Sequence, residues 1–92
     1  MLTAFVMIHV EPSRIAEIAQ AIANINHVDE VYSVTGDFDI LAIVRLPEYD
    51  QLAEIVPEEL AKLDGIKRTS TVLAFRRFSA EDLKAAWDIG LS

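Results

Sequence analysis

The chain has 92 residues and no cysteine, and its 15 acidic and 8 basic residues give a formal net charge of -7. This length provides one hydrophobic core, so we expect a single domain, and a composition that is 52% hydrophobic and 25% charged excludes a disordered segment. The negative charge disfavours unaided binding to nucleic acid or anionic lipid, and the lack of cysteine excludes disulfides, thiolate metal ligands and thiol nucleophiles.

The first quarter of the chain predicts a strand followed by a helix. Every even position from Leu2 to Val10 is apolar, which is the two-residue period of a strand with one buried face. The apolar spacing then changes to three and four residues, the period of an amphipathic helix, at Ile15, Ile18, Ile22 and Ile25. We expect Asn26 to end this helix in the left-handed conformation, because its short amide tolerates a positive φ.

The next segment predicts a β-hairpin. Val28 to Thr35 is rich in β-branched and aromatic residues, and Phe38 to Leu46 is a second apolar run. Gly36-Asp37 between them predicts a two-residue turn in which glycine supplies the positive φ. The second and third strands should therefore pair antiparallel.

The second half predicts another helix and a last strand. Glu48 to Leu63 has helical apolar spacing with a kink or restart at Pro57, and Gly65 is the expected left-handed cap. Ile66 to Phe78 predicts the last strand. A capping box at residues 79–82 then predicts a short helix through Trp87.

The order βαββαβ, with right-handed crossovers, predicts an α+β fold of the ferredoxin-like type, a two-layer sandwich with both helices on one face of a four-stranded sheet. We expect this domain over residues 1–78 and a helical extension over residues 79–92.

The other face of the predicted sheet is apolar where an isolated domain should be polar. If the first and third strands are central, their outward positions form a contiguous apolar patch that needs cover. The sequence therefore predicts a two-fold, sheet-to-sheet homodimer with six interface residues: Phe5, Met7, Leu41, Ile43, Leu73 and Phe75.

Two segments, Val28 to Leu41 with its Thr-Gly-Asp-Phe-Asp motif and Leu63 to Thr71, resemble the Lrp/AsnC family of amino-acid-responsive transcription regulators. The resemblance runs from about Thr3 to Phe78 and is to the family's effector domain, the RAM domain (regulation of amino-acid metabolism). It implies a ferredoxin-like fold, dimers formed through the sheets, larger rings, and amino-acid effectors bound between dimers. Because no residues remain for the family's helix-turn-helix, we expect a stand-alone form.

The resemblance implies seven ligand-binding candidates in two groups: the hairpin residues Thr35, Gly36, Asp37 and Asp39, and the strand residues Thr69, Ser70 and Thr71. Their chemistry suits a free amino acid, since a carboxylate pairs with the ammonium while backbone N–H and hydroxyl groups bind the carboxylate. A tight turn would also select the Gly-Asp pair without any ligand, and threonine is a common strand residue.

We expect a small amino-acid effector, self-association and possible joining with full-length relatives, and no enzyme activity, metal, cofactor, nucleic-acid or membrane contact. A cytoplasmic location fits the lack of cysteine. Two alternatives remain open. One is a dimeric ferredoxin-like monooxygenase with haem or quinone chemistry, in which His9 would be the residue to test; the other is an assembly module without a ligand.

Overall fold

The computed structural model describes residues 1–81, and it has the ferredoxin-like fold predicted from the sequence. Four antiparallel strands form one sheet in the order β2-β3-β1-β4. The strands are β1 (Leu2–Val10), β2 (Val28–Ser33), β3 (Ile40–Leu46) and β4 (Ile66–Ala74). The central pair is β1 and β3, as expected, and the predicted helix through Trp87 lies outside the described residues from position 82 onward.

Two helical segments cover one face of this sheet. A 3₁₀ turn (Pro12–Arg14) leads into helix α1 (Ile15–Ala23), and helix α2 (Tyr49–Glu54) continues into a π-helical segment (Ile55–Leu60). In β1 and β3 every second side chain is buried in the core between the helices and the sheet, as the sequence pattern predicts. Its fully buried side chains are mostly β-branched and the largest are Ile8, Ile22, Ile40, Leu46, Val6, Val10 and Val44.

The second helix changes its geometry near Pro57, where a kink or restart was expected. Pro57 is the third residue of the π-helical segment and not the first residue of a new α-helical turn. Because proline has no N–H to donate, a regular α-helical ladder cannot pass through this position. The wider spacing still buries Ile55 and Leu60 against the sheet.

Three predicted boundaries were wrong. Helix α1 ends at Ala23, and the residue with a positive φ is His27 (φ 74°), not Asn26, because the chain makes an extra turn before β2. The hairpin loop is wider than two residues, since the last pair is Ser33–Ile40, closed by a Val34 N–H to Asp39 C=O bond of 2.9 Å. Strand β4 ends at Ala74, opposite Thr3 near the beginning of its antiparallel partner β1, and not at Phe78.

Both predicted glycine positions were correct. Gly36 in the hairpin has a φ of +113° and Gly65 after the second helix has a φ of +95°. Gly65 also lies against the other helix, where an added Cβ would come within 2.8 Å of Ile18 Cδ1. Glycine is therefore favoured there by its positive φ, and an added Cβ would also have to displace the end of the Ile18 side chain.

Candidate functional site

The hairpin loop between β2 and β3 carries the first group of candidate ligand residues. Thr35, Gly36 and Asp37 are exposed at its tip. Among the described residues, the Val34 N–H closes the loop by donating to the carbonyl of Asp39, and the Asp39 N–H donates to the carbonyl of Ile8 in β1, whereas the N–H groups of Thr35 to Phe38 donate to no backbone acceptor. Around Gly36 the space that a side chain would occupy is empty within 4 Å. The tip therefore presents unused donors beside an open space.

Asp39 occupies the point where this loop enters β3. Its Oδ2 accepts a hydrogen bond from the N–H of Val10 at 2.9 Å and lies 2.7 Å from Nδ1 of His9. Val10 needs this acceptor because β3 begins at Ile40, opposite Ile8, so that no backbone carbonyl of β3 faces its N–H group. Oδ1 of Asp39 has no partner among residues 1–81, and the side chain is 24% exposed.

The charge of Asp39 is stabilised by its surroundings. The N–H of Val10, and then His9 and Lys67, hold the pKa of this carboxyl below its ordinary value of 3.8, although partial burial opposes them. Asp39 is therefore ionised at neutral pH. It is a fixed negative charge at the edge of the sheet, with one oxygen engaged by the protein and one oxygen unused.

Strand β4 lies within reach of the loop through Arg68. The guanidinium of Arg68 stacks on the ring of Phe38 in the loop, with its Cζ 4.8 Å from the ring centroid. Next to it, Lys67 forms an ion pair with Glu11 at 3.0 Å. Lys67 stands unopposed in a β-bulge between the pairs His9–Arg68 and Val10–Ile66. The positive charge of Lys67 is close enough to act on the carboxylate of Asp39.

The strand residues predicted as the second group are divided between the two faces of the sheet. Thr69 and Thr71 stand opposite Ile8 and Val6 of β1, so they lie on the helix-facing side. Ser70 stands opposite Met7 and lies on the outer side. Of the three, Ser70 alone shares a face with His9, and the three side chains do not converge on one ligand.

The outer face of the sheet has the predicted apolar patch at its centre. Phe5 pairs with Ile43 and Met7 pairs with Leu41 across β1 and β3, and all four side chains are partly exposed. We call these four residues the outer patch. On the β4 side it continues through Val72, which stands opposite Phe5 and is 47% exposed.

One residue that we predicted with the outer patch is placed elsewhere. Leu73 stands opposite Ala4 and packs on the core, so it lies on the helix-facing side, and Val72 takes the outer position instead. Phe75 follows the last residue of β4 and is fully exposed, and it lines a cavity together with Thr3 and Phe5. That the remaining five residues form a dimer interface stays a prediction.

Sequence reasoning missed the contact between His9 and Asp39. It considered His9 only as a residue for haem or quinone chemistry, whereas its Nδ1 lies 2.7 Å from Oδ2 of Asp39, one of the predicted ligand-binding candidates. The antiparallel pairing of β1 and β3 was the signal that could have found it, because this pairing places the end of β1 beside the start of β3. Within residues 1–81, no group of three potential metal ligands was found. None of the described helices has the length and hydropathy that crossing a bilayer requires.

The protein family described as the Lrp/AsnC ligand binding domain matches residues 3–83. An uncharacterised HTH-type transcriptional regulator of Pyrococcus furiosus is 38% identical over 76 residues, which cover 79% of this chain and 51% of that protein. The chain therefore spans about half the length of the curated relatives that it matches.

Solved structures agree with this match. A protein of Thermus thermophilus is 43% identical, with a TM-score of 0.81 over 86% of this chain and 99% of that chain. A feast or famine regulatory protein of Mycobacterium tuberculosis, solved in complex with L-methionine, has the same fold, with a TM-score of 0.73 and 23% identity over 88% of this chain and 54% of that chain. The sequence match and the fold together show that this chain belongs to the Lrp/AsnC family, in its ligand-binding domain.

Proposed function

We propose that this domain binds a free amino acid at Asp39 and the hairpin loop, and that the ligand strengthens assembly between copies of the chain. One observation carries the proposal. An ionised carboxylate with an unused oxygen lies at the base of a loop whose N–H groups are also unused. The carboxylate can bind the ammonium group of a free amino acid, and the N–H groups can bind its carboxylate.

The ammonium group of the ligand would pair with Oδ1 of Asp39. Oδ2 is already fixed by the N–H of Val10, so the carboxylate keeps its orientation before a ligand arrives. Preorganisation of this kind lowers the entropic cost of binding. Since His9 and Lys67 also favour the ionised form of Asp39, the charge is present without the ligand.

The carboxylate of the ligand would be bound by the loop tip. Gly36 has a positive φ and no Cβ, so a ligand oxygen can approach the backbone N–H groups that follow it. The hydroxyl of Thr35 adds a further donor on the same exposed tip. The loop alone leaves this site open to solvent, and a neighbouring copy would close it.

Assembly would begin at the outer patch. Four apolar side chains per copy would contribute on the order of 10 kcal/mol gross at about 1.5 kcal/mol each, before the entropic cost of association is subtracted. The loop of each copy projects at the edge of the same sheet, so pairing of sheets brings loops near neighbouring copies. A ligand held between them would favour larger rings over separate dimers.

The relatives give this proposal its regulatory context. The Mycobacterium tuberculosis protein and a transcriptional regulator of Neisseria meningitidis were solved as L-methionine complexes, and both share this fold. The curated relatives are HTH-type transcriptional regulators about twice as long, so ligand-dependent assembly of this domain would serve the control of transcription, and mixed assembly with such full-length proteins is one route to it.

Calorimetric titration with L-methionine, the amino acid present in those two complexes, tests the ligand site. The informative variant is Asp39→Asn, whose amide oxygen still accepts the bond from Val10 but carries no charge for an ammonium. Asp37→Asn is the matched control, because it removes the same charge from the exposed tip of the same loop. We expect Asp39→Asn to weaken binding at least about tenfold, since hydrogen bonds to charged groups contribute about 1.5–3 kcal/mol.

Two outcomes would contradict the proposed roles. Unchanged affinity in Asp39→Asn would remove the ammonium-binding role of Asp39. Equal losses in the two variants would show that the ligand responds to the overall negative charge of the loop and not to the fixed carboxylate.

A further inference from the structure

An apolar groove runs along the free edge of the sheet, between β4 and the second helical segment. Two adjoining cavities of about 300 and 420 Å³ form it, and they share Val56 and Pro57. Its floor is mostly aliphatic, from Leu52, Leu60, Leu63 and Leu73. The helix side contributes two exposed alanines, Ala53 and Ala61.

This groove is separate from the outer patch. Leu73 and Thr71 reach it from the helix-facing side of β4, whereas Met7 and Leu41 lie on the opposite side of the sheet. A sheet-to-sheet dimer would therefore leave the groove open. Apolar surface of this kind on a sheet edge requires a partner.

The sequence that follows the described residues contains a segment whose apolar pattern suits the groove. Residues 82–92 follow the described part and carry three large apolar side chains four residues apart, Leu83, Trp87 and Leu91, which is the spacing of one helix face. Eleven residues of helix would be about 16 Å long. The groove extends along β4 from Lys67 to Leu73, six strand steps of about 3.4 Å or roughly 20 Å.

Two more observations favour this segment as the occupant. The family match ends at residue 83, so most of the segment is additional to the shared ligand-binding domain. The segment also carries Asp82 and Asp88 against one Lys84, while the groove is lined by the cation Lys67 and by Arg68, whose guanidinium stacks on Phe38 of the hairpin loop.

We propose that residues 82–92 of one copy bind in the groove between β4 and the π-helical segment of a neighbouring copy. The segment belongs to a neighbour because the chain leaves the sheet after Ala74 with Phe75 fully exposed and Phe78 76% exposed. Residues 75–77 line a cavity with Thr3, Phe5 and Arg45, whereas the groove lies on the helix-facing side of the sheet and runs back along β4 toward Lys67. Exchange of these segments links copies by a contact that does not involve the outer patch or the hairpin loop.

Trp87 is the single tryptophan of the chain, so its fluorescence reports the surroundings of this segment. We expect native emission to be blue-shifted relative to that of the denatured chain. Ala53→Glu in α2 and Ala61→Glu just after the π-helical segment each place a charge in the groove at an exposed position and should shift the emission toward that of the denatured chain. Ala16→Glu, at an exposed position of α1 outside the groove, introduces the same charge and should leave the emission unchanged.

A mixing experiment distinguishes a neighbour's groove from the chain's own groove. Ala53→Glu retains Trp87 but has a blocked groove, and Trp87→Ala retains an open groove but has no tryptophan. Adding an excess of Trp87→Ala to Ala53→Glu should restore the blue shift, because the tryptophan segment then finds an open groove on another copy.

Three results would overturn the proposal. Native emission equal to that of the denatured chain would show that Trp87 is not buried. A blue shift that survives both groove variants would place Trp87 elsewhere. A shift lost in the groove variants but not restored on mixing would show that each segment occupies its own groove.

Discussion

Replacement of Met7 by glutamate should separate the proposed sheet-to-sheet dimer into monomers. Met7 lies at the centre of the outer patch, opposite Leu41 on one side and Ser70 on the other, so no charged residue stands directly across from it. Its side chain is partly exposed in the single chain, where a charge can remain hydrated. The substitution should therefore affect association more than folding.

The magnitude follows from two-fold symmetry, because each substitution is present twice in the interface. Losing the burial of two methionine side chains costs about 3–6 kcal/mol, and two unpaired carboxylates in an apolar contact add to this cost. A total of at least about 5 kcal/mol raises the dimer Kd by more than about a thousandfold. Met7→Gln introduces no charge and should have a smaller effect.

Sedimentation velocity over a range of protein concentrations measures this Kd. Ala16→Glu, which adds the same charge at an exposed position of α1, should keep the wild-type association. Far-UV circular dichroism of Met7→Glu should retain the spectrum of the folded domain. Undiminished association in Met7→Glu would refute the assignment of the outer patch as the dimer interface.

Two further predictions concern Asp39 and the glycines. Because the folded-state pKa of Asp39 is lowered, its ionised form stabilises the fold above the ordinary pKa of 3.8, and this contribution is lost as the pH falls through the folded-state value. The difference in stability between wild type and Asp39→Asn, measured by circular dichroism, should therefore be smaller at acid pH than at neutral pH. A difference that does not change with pH would contradict this role. Gly65→Ala should lower the free energy of unfolding by about 2 kcal/mol or more, because it adds a clash with Ile18 to the strain of a positive φ. Gly36→Ala has empty space around it and should cost only the strain, about 1 kcal/mol. Thermal denaturation at one protein concentration compares the two variants, and equal losses would show that the clash is relieved without cost.

The sequence predicted the architecture well where its pattern was regular. Strict alternation in β1 identified the buried face, and the outward positions of β1 and β3 identified the outer patch once the ferredoxin-like fold made these two strands the central pair. Pro57 and Gly65 marked the irregular end of the second helix because each acts through its own backbone chemistry.

The faces of β4 could not be predicted in this way. The run from Thr69 to Leu73 mixes hydroxyl and aliphatic side chains without alternation, so its pattern does not indicate a buried side. The pairing of Thr71 with Val6 decides the question, and that register follows from the bulge at Lys67. For this reason Leu73 was assigned to the wrong face and Val72 was overlooked.

The contact that holds Asp39 was equally hidden in the sequence. It joins Val10 and Asp39, which are 29 residues apart, and depends on where β3 begins relative to the end of β1. The motif around Gly36 identified the loop, but the fixed orientation and the lowered pKa of Asp39 arise from tertiary structure alone.

A thermal-shift screen of the full chain against the twenty amino acids tests the central claim most directly. A ligand present at a hundred times its Kd should stabilise the folded state by about 2.7 kcal/mol, so at least one amino acid should raise the melting temperature in a concentration-dependent manner. If the melting temperature remained unchanged with every amino acid at millimolar concentration, the proposed amino-acid binding would be contradicted, and an assembly module without a ligand would be the better description.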